Sequence, residues 1–168
     1  MSRILIVDDE KNIVSALDRL LRSEAGISVE GFTSAKDALS RAEQTEFDVV
    51  VVDYRMPEMD GTQFLLKYRA IQPHSYRIIL SAFSDESMLR KAINQAQIHA
   101  LVRKPWDGMQ LFDTIKRGAE QAEAQRALVR LHEQVAEQQA TIEKLQTLLE
   151  QLAEKAPEAL PKDWQSKL

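Results

Sequence analysis

The chain contains no cysteine among its 168 residues, so disulfide bonds, thiolate nucleophiles and cysteine-ligated zinc sites are excluded. No apolar run approaches the roughly 18 residues of a membrane-spanning helix. Acidic residues begin at Asp8, too early for the apolar region of a signal peptide. The net charge is −4, so a surface that binds nucleic acid is not expected. These absences predict a cytoplasmic protein without direct nucleic-acid or membrane contacts.

Glycine and proline are rare in the stretch between Asp107 and Pro157. Between Asp107 and Pro157, Gly108 and Gly118 are the glycines, and there is no proline. This stretch therefore predicts that the last helix of the folded domain continues into a long helix. We expect a first domain over residues 1–119, a helix over 120–156, and a tail or linker over 157–168.

Short apolar strands alternate with amphipathic helices over the first domain. Strands that alternate with helices of this size indicate right-handed crossovers, and hence a doubly wound α/β fold with a five-stranded parallel sheet. The fourth helix is expected over residues 85–96, and its cap at Ser84 or Asp85. The expected strands are Arg3–Val7, Ile27–Phe32, Val49–Asp53, Tyr76–Leu80 and Ala100–Val102.

Polar residues follow four of these strands where each one ends. Asp8 and Asp9 follow the first strand, Asp53 ends the third, Ser81 follows the fourth and Lys104 follows the fifth. Ligands of parallel sheets collect at the carboxyl ends of the strands. The sequence therefore predicts three carboxylates, a hydroxyl and an ammonium group at one edge.

Clustered carboxylates repel one another unless a cation neutralises them. Oxygen ligands without histidine or cysteine suit Mg²⁺, which combines one or two carboxylates with water and phosphate oxygens. A carboxylate can also serve as the nucleophile in phosphoryl transfer. The pattern thus indicates a Mg²⁺-dependent phosphoryl site in which Lys104 pairs with one phosphoryl oxygen and Ser81 donates a hydrogen bond to another.

The first 120 residues resemble the receiver domain of two-component response regulators. The resemblance lies in the segments "VDDE", "VVVDYRMPEMDG", "LSA" and "KPW". It implies a flavodoxin-like receiver and a transfer reaction in which a phosphohistidine on a sensor histidine kinase or phosphotransfer protein donates to Asp53. Slow hydrolysis would then restore the carboxylate.

The resemblance also assigns roles to individual residues. Asp53 would be the phosphoacceptor, and it would hold Mg²⁺ together with Asp8, Asp9 and the backbone carbonyl of Arg55. Ser81 would be the hydroxyl that moves towards the phosphoryl group.

The resemblance makes Lys104 the counter-ion of the phosphoryl group. The Lys104–Pro105 bond is a candidate cis peptide. One departure concerns the switch that follows phosphorylation. The family often has Tyr or Phe three residues before the lysine, where this chain has Leu101. Leucine has no hydroxyl and less area to repack, which puts the usual coupling of Ser81 to the neighbouring surface in doubt.

Apolar residues recur in the long helix in steps of three and four over about four heptads, which indicates a coiled coil. β-branched residues at position a with leucine at d favour a parallel homodimer. Leu148 widens the stripe enough to allow a bundle, and the alternative is an amphipathic helix packed on its own domain. The expected seam comprises Leu128, Leu131, Val135, Gln138, Ile142, Leu145, Leu149 and Leu152.

Three readings of the function remain. The first is a phosphorylation-dependent response regulator, not itself an enzyme beyond phosphotransfer and dephosphorylation at Asp53, that signals through its helix to an output domain or partner. It would be a stand-alone adaptor or the regulatory part of a longer enzyme, such as a cyclic-dinucleotide phosphodiesterase or protein phosphatase. The second is a phosphorylation-independent dimeric scaffold. The third, a haloacid-type hydrolase, is disfavoured because Arg55 stands where its second aspartate would be.

Overall fold

The structure is a computed structural model that describes residues 2–22, 26–82 and 96–155. The expected helix over residues 85–96 and the tail over 157–168 lie almost entirely outside these ranges. In chain order, the elements are β1 (Ser2–Val7), α1 (Lys11–Arg22), β2 (Ile27–Phe32), α2 (Ala35–Gln44), β3 (Val49–Asp53), α3 (Gly61–Ile71), β4 (Tyr76–Ser81), β5 (Ala100–Arg103) and α4 (Gly108–Lys155).

The five strands form one parallel sheet in the order β2-β1-β3-β4-β5. This arrangement confirms the expected fold class. The chain first moves outward from β1 to β2 and then returns to place β3 on the other side of β1. The connections from β1 and β3 therefore diverge in opposite directions and leave a crevice at the carboxyl ends of these two strands.

Helices cover both faces of the sheet because the strand side chains alternate between them. Leu5 and Val7 of β1 face a core built with α2 and α3. Ile4 and Ile6 face a second core built with α1 and the first part of α4. All five residues of β3 are buried, as expected for a central strand covered on both sides.

Two of the helices begin at side-chain caps. Ser34 accepts a hydrogen bond from the backbone of Asp37 at the start of α2. Asp60 and Gln63 form a reciprocal capping box at the start of α3. Such caps satisfy backbone N–H groups that have no partner inside the helix. The capping box also fixes the first turn of α3, directly after the loop that follows β3.

The long helix α4 contributes to two compact units of the chain, Met1–Gln125 and Arg126–Leu168. The first unit extends beyond Ala119, where the sequence placed the end of the first domain, and Ala122 is still buried. In the second unit, most helical residues are exposed. None of the helices described here is both long and apolar enough to cross a membrane.

Candidate functional site

Two buried carboxylates lie at the carboxyl ends of β1 and β3. Asp8 is the residue after β1 and is 1% exposed. Asp53 is the last residue of β3 and is 6% exposed. The strands are direct neighbours, with Val7 opposite Val52 in the register. The sheet topology therefore places both carboxylates at the crevice between the diverging connections.

The ammonium group of Lys104 bridges these two carboxylates. Its Nζ lies 2.9 Å from Asp8 Oδ2 and 2.6 Å from Asp53 Oδ1. Lys104 directly follows β5, and its backbone N–H donates to the carbonyl of Ser81 at 2.8 Å. The structure thus brings together three of the predicted site residues that are far apart in sequence.

The pKa shifts at the site have opposing causes. Burial raises the pKa of Asp8, and the hydrogen bond from Lys104 only partly opposes this. Burial alone would lower the pKa of Lys104, but its hydrogen bonds to Asp53 and Asp8 outweigh that effect and the pKa is raised. Lys104 is therefore held in its charged form by the two carboxylates, and Asp8 remains a costly buried charge.

Asp9 and Arg55 are the other two residues predicted to hold the metal together with Asp8 and Asp53. Asp8 is buried directly after β1, whereas Asp9 lies in the bend that follows and is exposed. Among the described residues, no three His, Cys, Asp or Glu side chains form a group suited to hold a metal. Arg55 donates its backbone N–H to Asp53 Oδ2 at 2.8 Å, so its peptide lies beside the proposed phosphoacceptor.

Ser81 and Leu101 lie on the neighbouring strands. Ser81 is the last residue of β4, is 2% exposed, and pairs in register with Arg103. Leu101 is half-buried against the core that contains α2 and α3. The Lys104–Pro105 peptide bond is cis.

Gly61 is a site-forming residue that the sequence analysis did not identify. A Cβ at this position would contact the Asp53 carbonyl oxygen and would lie 3.1 Å from both Asp53 C and Tyr54 Cα. The backbone N–H of Gly61 donates to the Tyr54 carbonyl at 2.8 Å. Only glycine lets α3 begin this close to the end of β3. The signal was the glycine that directly follows the Asp60 cap.

This arrangement can support a reaction with an anionic phosphoryl donor. Asp53 supplies a carboxylate whose two oxygens are held by Lys104 and by the N–H of Arg55. Its side chain keeps 9% of its surface exposed. A fixed ammonium group beside the carboxylate offsets part of the charge that an incoming phosphoryl group would add.

A second candidate surface lies in the unit that begins at Arg126. Gln138 is exposed, and Leu149 is half-buried. The remaining residues of the expected seam are 45–56% exposed, and Leu148 beside them is 46% exposed. The seam residues with these exposures are Leu128, Leu131, Val135, Ile142, Leu145 and Leu152.

The chain matches the response regulator receiver domain over residues 4–116. The hydrogenase transcriptional regulatory protein HoxA of Bradyrhizobium diazoefficiens is 33% identical over 117 residues, which cover 70% of this chain and 24% of that protein. A response regulator receiver protein of Anaeromyxobacter is 31% identical, over 62% of this chain and 43% of that protein.

Solved structures give the same assignment. A CheY-like receiver domain from Methanospirillum hungatei has 28% identity and a TM-score of 0.68, covering 74% of this chain and 98% of that one. The signal receiver domain of an HD domain-containing protein from Pseudomonas fluorescens has 28% identity and a TM-score of 0.70, covering 75% and 92%.

The first curated relatives are much longer than the matched region, and the chain spans 24–25% of their length. The match is confined to the part that contains the sheet and its helices, and it includes the strand ends that carry Asp8, Asp53 and Ser81 together with Lys104. This chain belongs to the response regulator receiver family.

Proposed function

We propose that the chain is a phosphorylation-dependent receiver in which Asp53 accepts a phosphoryl group from a histidine kinase or phosphotransfer protein. The observation that carries this proposal is the Lys104 ammonium group, which lies 2.6 Å from Asp53 and 2.9 Å from Asp8. A half-buried lysine shared by two buried carboxylates is suited to a site that gains negative charge during its reaction. The family assignment supports the same conclusion.

In the proposed reaction, an Asp53 oxygen attacks the phosphorus atom of a phosphohistidine. The new O–P bond forms as the P–N bond breaks, and the imidazole leaves with the electron pair. The hydrogen bond from the Arg55 N–H fixes the plane of the Asp53 carboxylate. Lys104 then pairs with a phosphoryl oxygen, as positive groups do in other phosphoryl-transfer sites.

The donor set at the crevice fits Mg²⁺. Asp8 and Asp53 are two carboxylates with no histidine or cysteine nearby in sequence, and Mg²⁺ takes one or two carboxylates with water and phosphate oxygens. We propose that the Arg55 carbonyl and Asp9, directly or through water, complete the site. Bound there, Mg²⁺ would offset the charge of the carboxylates and of the phosphoryl oxygens.

We assign Ser81 the role of the hydroxyl that donates to the phosphoryl group. Its position at the end of β4, next to the strand that ends at Asp53, supports this role. Leu101, the second residue of β5, would repack in response. Because leucine has no hydroxyl, this rearrangement would depend on apolar packing rather than on a new hydrogen bond.

The state of the site is relayed, in this proposal, through α4 to a second copy and to an output domain or partner. The support is helix continuity, since α4 runs from Gly108 to Lys155 without interruption. The exposed heptad seam suits a parallel homodimer. The relay is tested by small-angle scattering with and without beryllofluoride and Mg²⁺. Different coil geometry or oligomer size is expected, and identical profiles would contradict the relay.

Phosphorylation itself is tested by incubating the protein with acetyl phosphate and Mg²⁺ and measuring its intact mass. One added phosphoryl group is expected in the wild type and in Asp113→Asn, which removes an exposed carboxylate on α4. The gain should be absent in Asp53→Asn and without Mg²⁺. An unmodified wild type would instead favour the phosphorylation-independent scaffold, and modification that persists in Asp53→Asn would place the acceptor elsewhere.

A further inference from the structure

Gln138 interrupts an otherwise apolar seam on α4. With Leu128 at position a, the a positions hold leucine, valine, isoleucine and leucine, and the d positions hold leucine, Gln138, leucine and leucine. The e and g positions between Leu128 and Leu152 carry no Lys, Arg, Asp or Glu. Charged e and g pairs normally set the orientation and partner of a coiled coil. In this helix, Gln138 is therefore the polar residue that can set the orientation and partner.

The exposed area of the seam fits a second copy of the same helix. A fully buried aliphatic side chain removes on the order of 100 Å² from water. The six seam residues that are 45–56% exposed, together with Leu148 beside them, therefore leave on the order of 350 Å² of apolar surface. A standard interface covers about 800 Å² per partner, and slightly more than half of that is apolar. One helix thus supplies most of the apolar share, and an identical helix supplies the matching stripe.

The alignment of two such helices decides what Gln138 meets. In an antiparallel pair, a positions face d positions, so Gln138 faces Ile142, Leu149 or Val135 of the partner, depending on the register. In a parallel pair shifted by one heptad, it faces Leu131 or Leu145. Only the parallel, in-register pair places one Gln138 amide against the other. A buried amide without a hydrogen-bond partner is unfavourable.

We propose that Gln138 is the residue that determines pairing on this surface, and that its partner is Gln138 of a second chain in a parallel, in-register coiled coil. Each amide donates an N–H to the carbonyl oxygen of the other across the dimer axis. All other alignments bury both amides against apolar side chains. This inference deepens the dimer of the proposed function, but it does not depend on phosphorylation at Asp53.

The absence of cysteine allows a direct test by cross-linking. Leu128→Cys and Leu152→Cys place single thiols near the two ends of the seam, which are ~36 Å apart along the helix. In a parallel, in-register pair, each variant oxidises to a disulfide-linked dimer by itself. In the antiparallel pair whose helix centres are matched, position 128 faces position 152. A disulfide then forms only when the two thiol variants are mixed. We expect each single variant to cross-link and the mixture to yield no 128–152 bond.

The role of Gln138 is tested by adding Gln138→Leu to each thiol variant, with the exposed Gln151→Leu as a matched control. We expect Gln138→Leu to permit other alignments, seen as 128–152 cross-links in the mixture or as larger oligomers in sedimentation velocity. Gln151→Leu should leave the pattern unchanged. An unaltered pattern in Gln138→Leu would overturn the role of this residue. A wild type that sediments as a monomer, or single-thiol variants that cross-link only when mixed, would overturn the pairing.

These measurements use the unphosphorylated full chain. Asp53→Asn leaves the seam unchanged, so adding it to each thiol variant should not alter the cross-linking. The cross-linking can therefore contradict the pairing while the mass measurement still finds phosphorylation. Equally, the pairing can be confirmed while the mass measurement finds no phosphorylation.

Discussion

Replacement of Lys104 by methionine removes the ammonium group and keeps most of the apolar length of the side chain. It leaves Asp8 and Asp53, which are 1% and 6% exposed, without the charge that lies between them. Burial already raises the pKa of Asp8, and the hydrogen bond from Lys104 lowers it. In the variant, both the unpaired charge and the repulsion between the carboxylates destabilise the folded state.

Removal of one partner from a fully buried ion pair costs about 3–5 kcal/mol. The Lys104 side chain keeps 22% of its surface exposed, so water screens part of the loss. We therefore expect the free energy of unfolding at pH 7 to fall by about 2–3 kcal/mol. The control Lys67→Met removes an exposed lysine on α3 and should change stability by less than about 0.5 kcal/mol.

The assay is urea denaturation at one protein concentration, at pH 7 and pH 5, with and without Mg²⁺. Without Lys104, the folded-state pKa of Asp8 rises further above its unfolded value of 3.8. A raised carboxyl pKa destabilises the fold above that pKa, and the penalty shrinks as protons bind. The deficit relative to wild type should therefore be smaller at pH 5 and smaller in Mg²⁺. Equal stabilities at pH 7, or a deficit that grows on acidification, would refute this electrostatic account.

Three further predictions concern the supports of the sheet. Gly118→Ala should destabilise the folded state by about 1–2 kcal/mol despite the better helix propensity of alanine, because the new Cβ would lie 2.7 Å from Tyr76 Cγ. In the double variant, Tyr76→Leu should relieve this loss, which is measured from the denaturation midpoints. Burial lowers the pKa of His99 to about 4, so the melting temperature should fall as the pH is lowered from 6.5 to 4. His99→Asn keeps an acceptor for the backbone N–H of Arg77 and should reduce this fall in melting temperature. Gln72→Ala should cost about 2–4 kcal/mol by urea denaturation, since its amide donates to two carbonyls and accepts from the Phe47 N–H; a loss under 1 kcal/mol would contradict this.

The sheet and the main site residues could be predicted because their signal is local. A central strand buried on both faces appears as an uninterrupted run of β-branched residues, and the polar residue that ends it must lie at the sheet edge. The positions of Asp8, Asp53 and Lys104 follow from that rule and from parallel topology. Asp9 shows where the rule stops, since a strand end does not specify on which side the second of two adjacent carboxylates lies.

Buried polar contacts between distant segments could not be predicted. Arg77 lies in β4 and is 2% exposed, although an arginine in a strand is ordinarily expected to face solvent. Its guanidinium donates to the carbonyls of Pro73, Ser75 and Gln97, which lie on two segments that meet only in the folded chain. Burial lowers the pKa of Arg77. No periodicity reports such acceptors, because they are backbone groups with no sequence signature.

The position of Lys104 in the chain connects the site to the helix. In the proposed function, a phosphoryl group on Asp53 would add negative charge beside an ammonium group that already contacts Asp8. Lys104 would then redistribute its contacts, and Mg²⁺ would offset the remaining charge. Pro105, the half-buried Trp106 and Asp107 follow directly, and Asp107 accepts from the Gln110 N–H at the start of α4. The side chain proposed to sense the new charge thus lies on the segment that starts the long helix. This proximity is why we expect coil geometry to respond to the charge at Asp53, even with leucine at position 101.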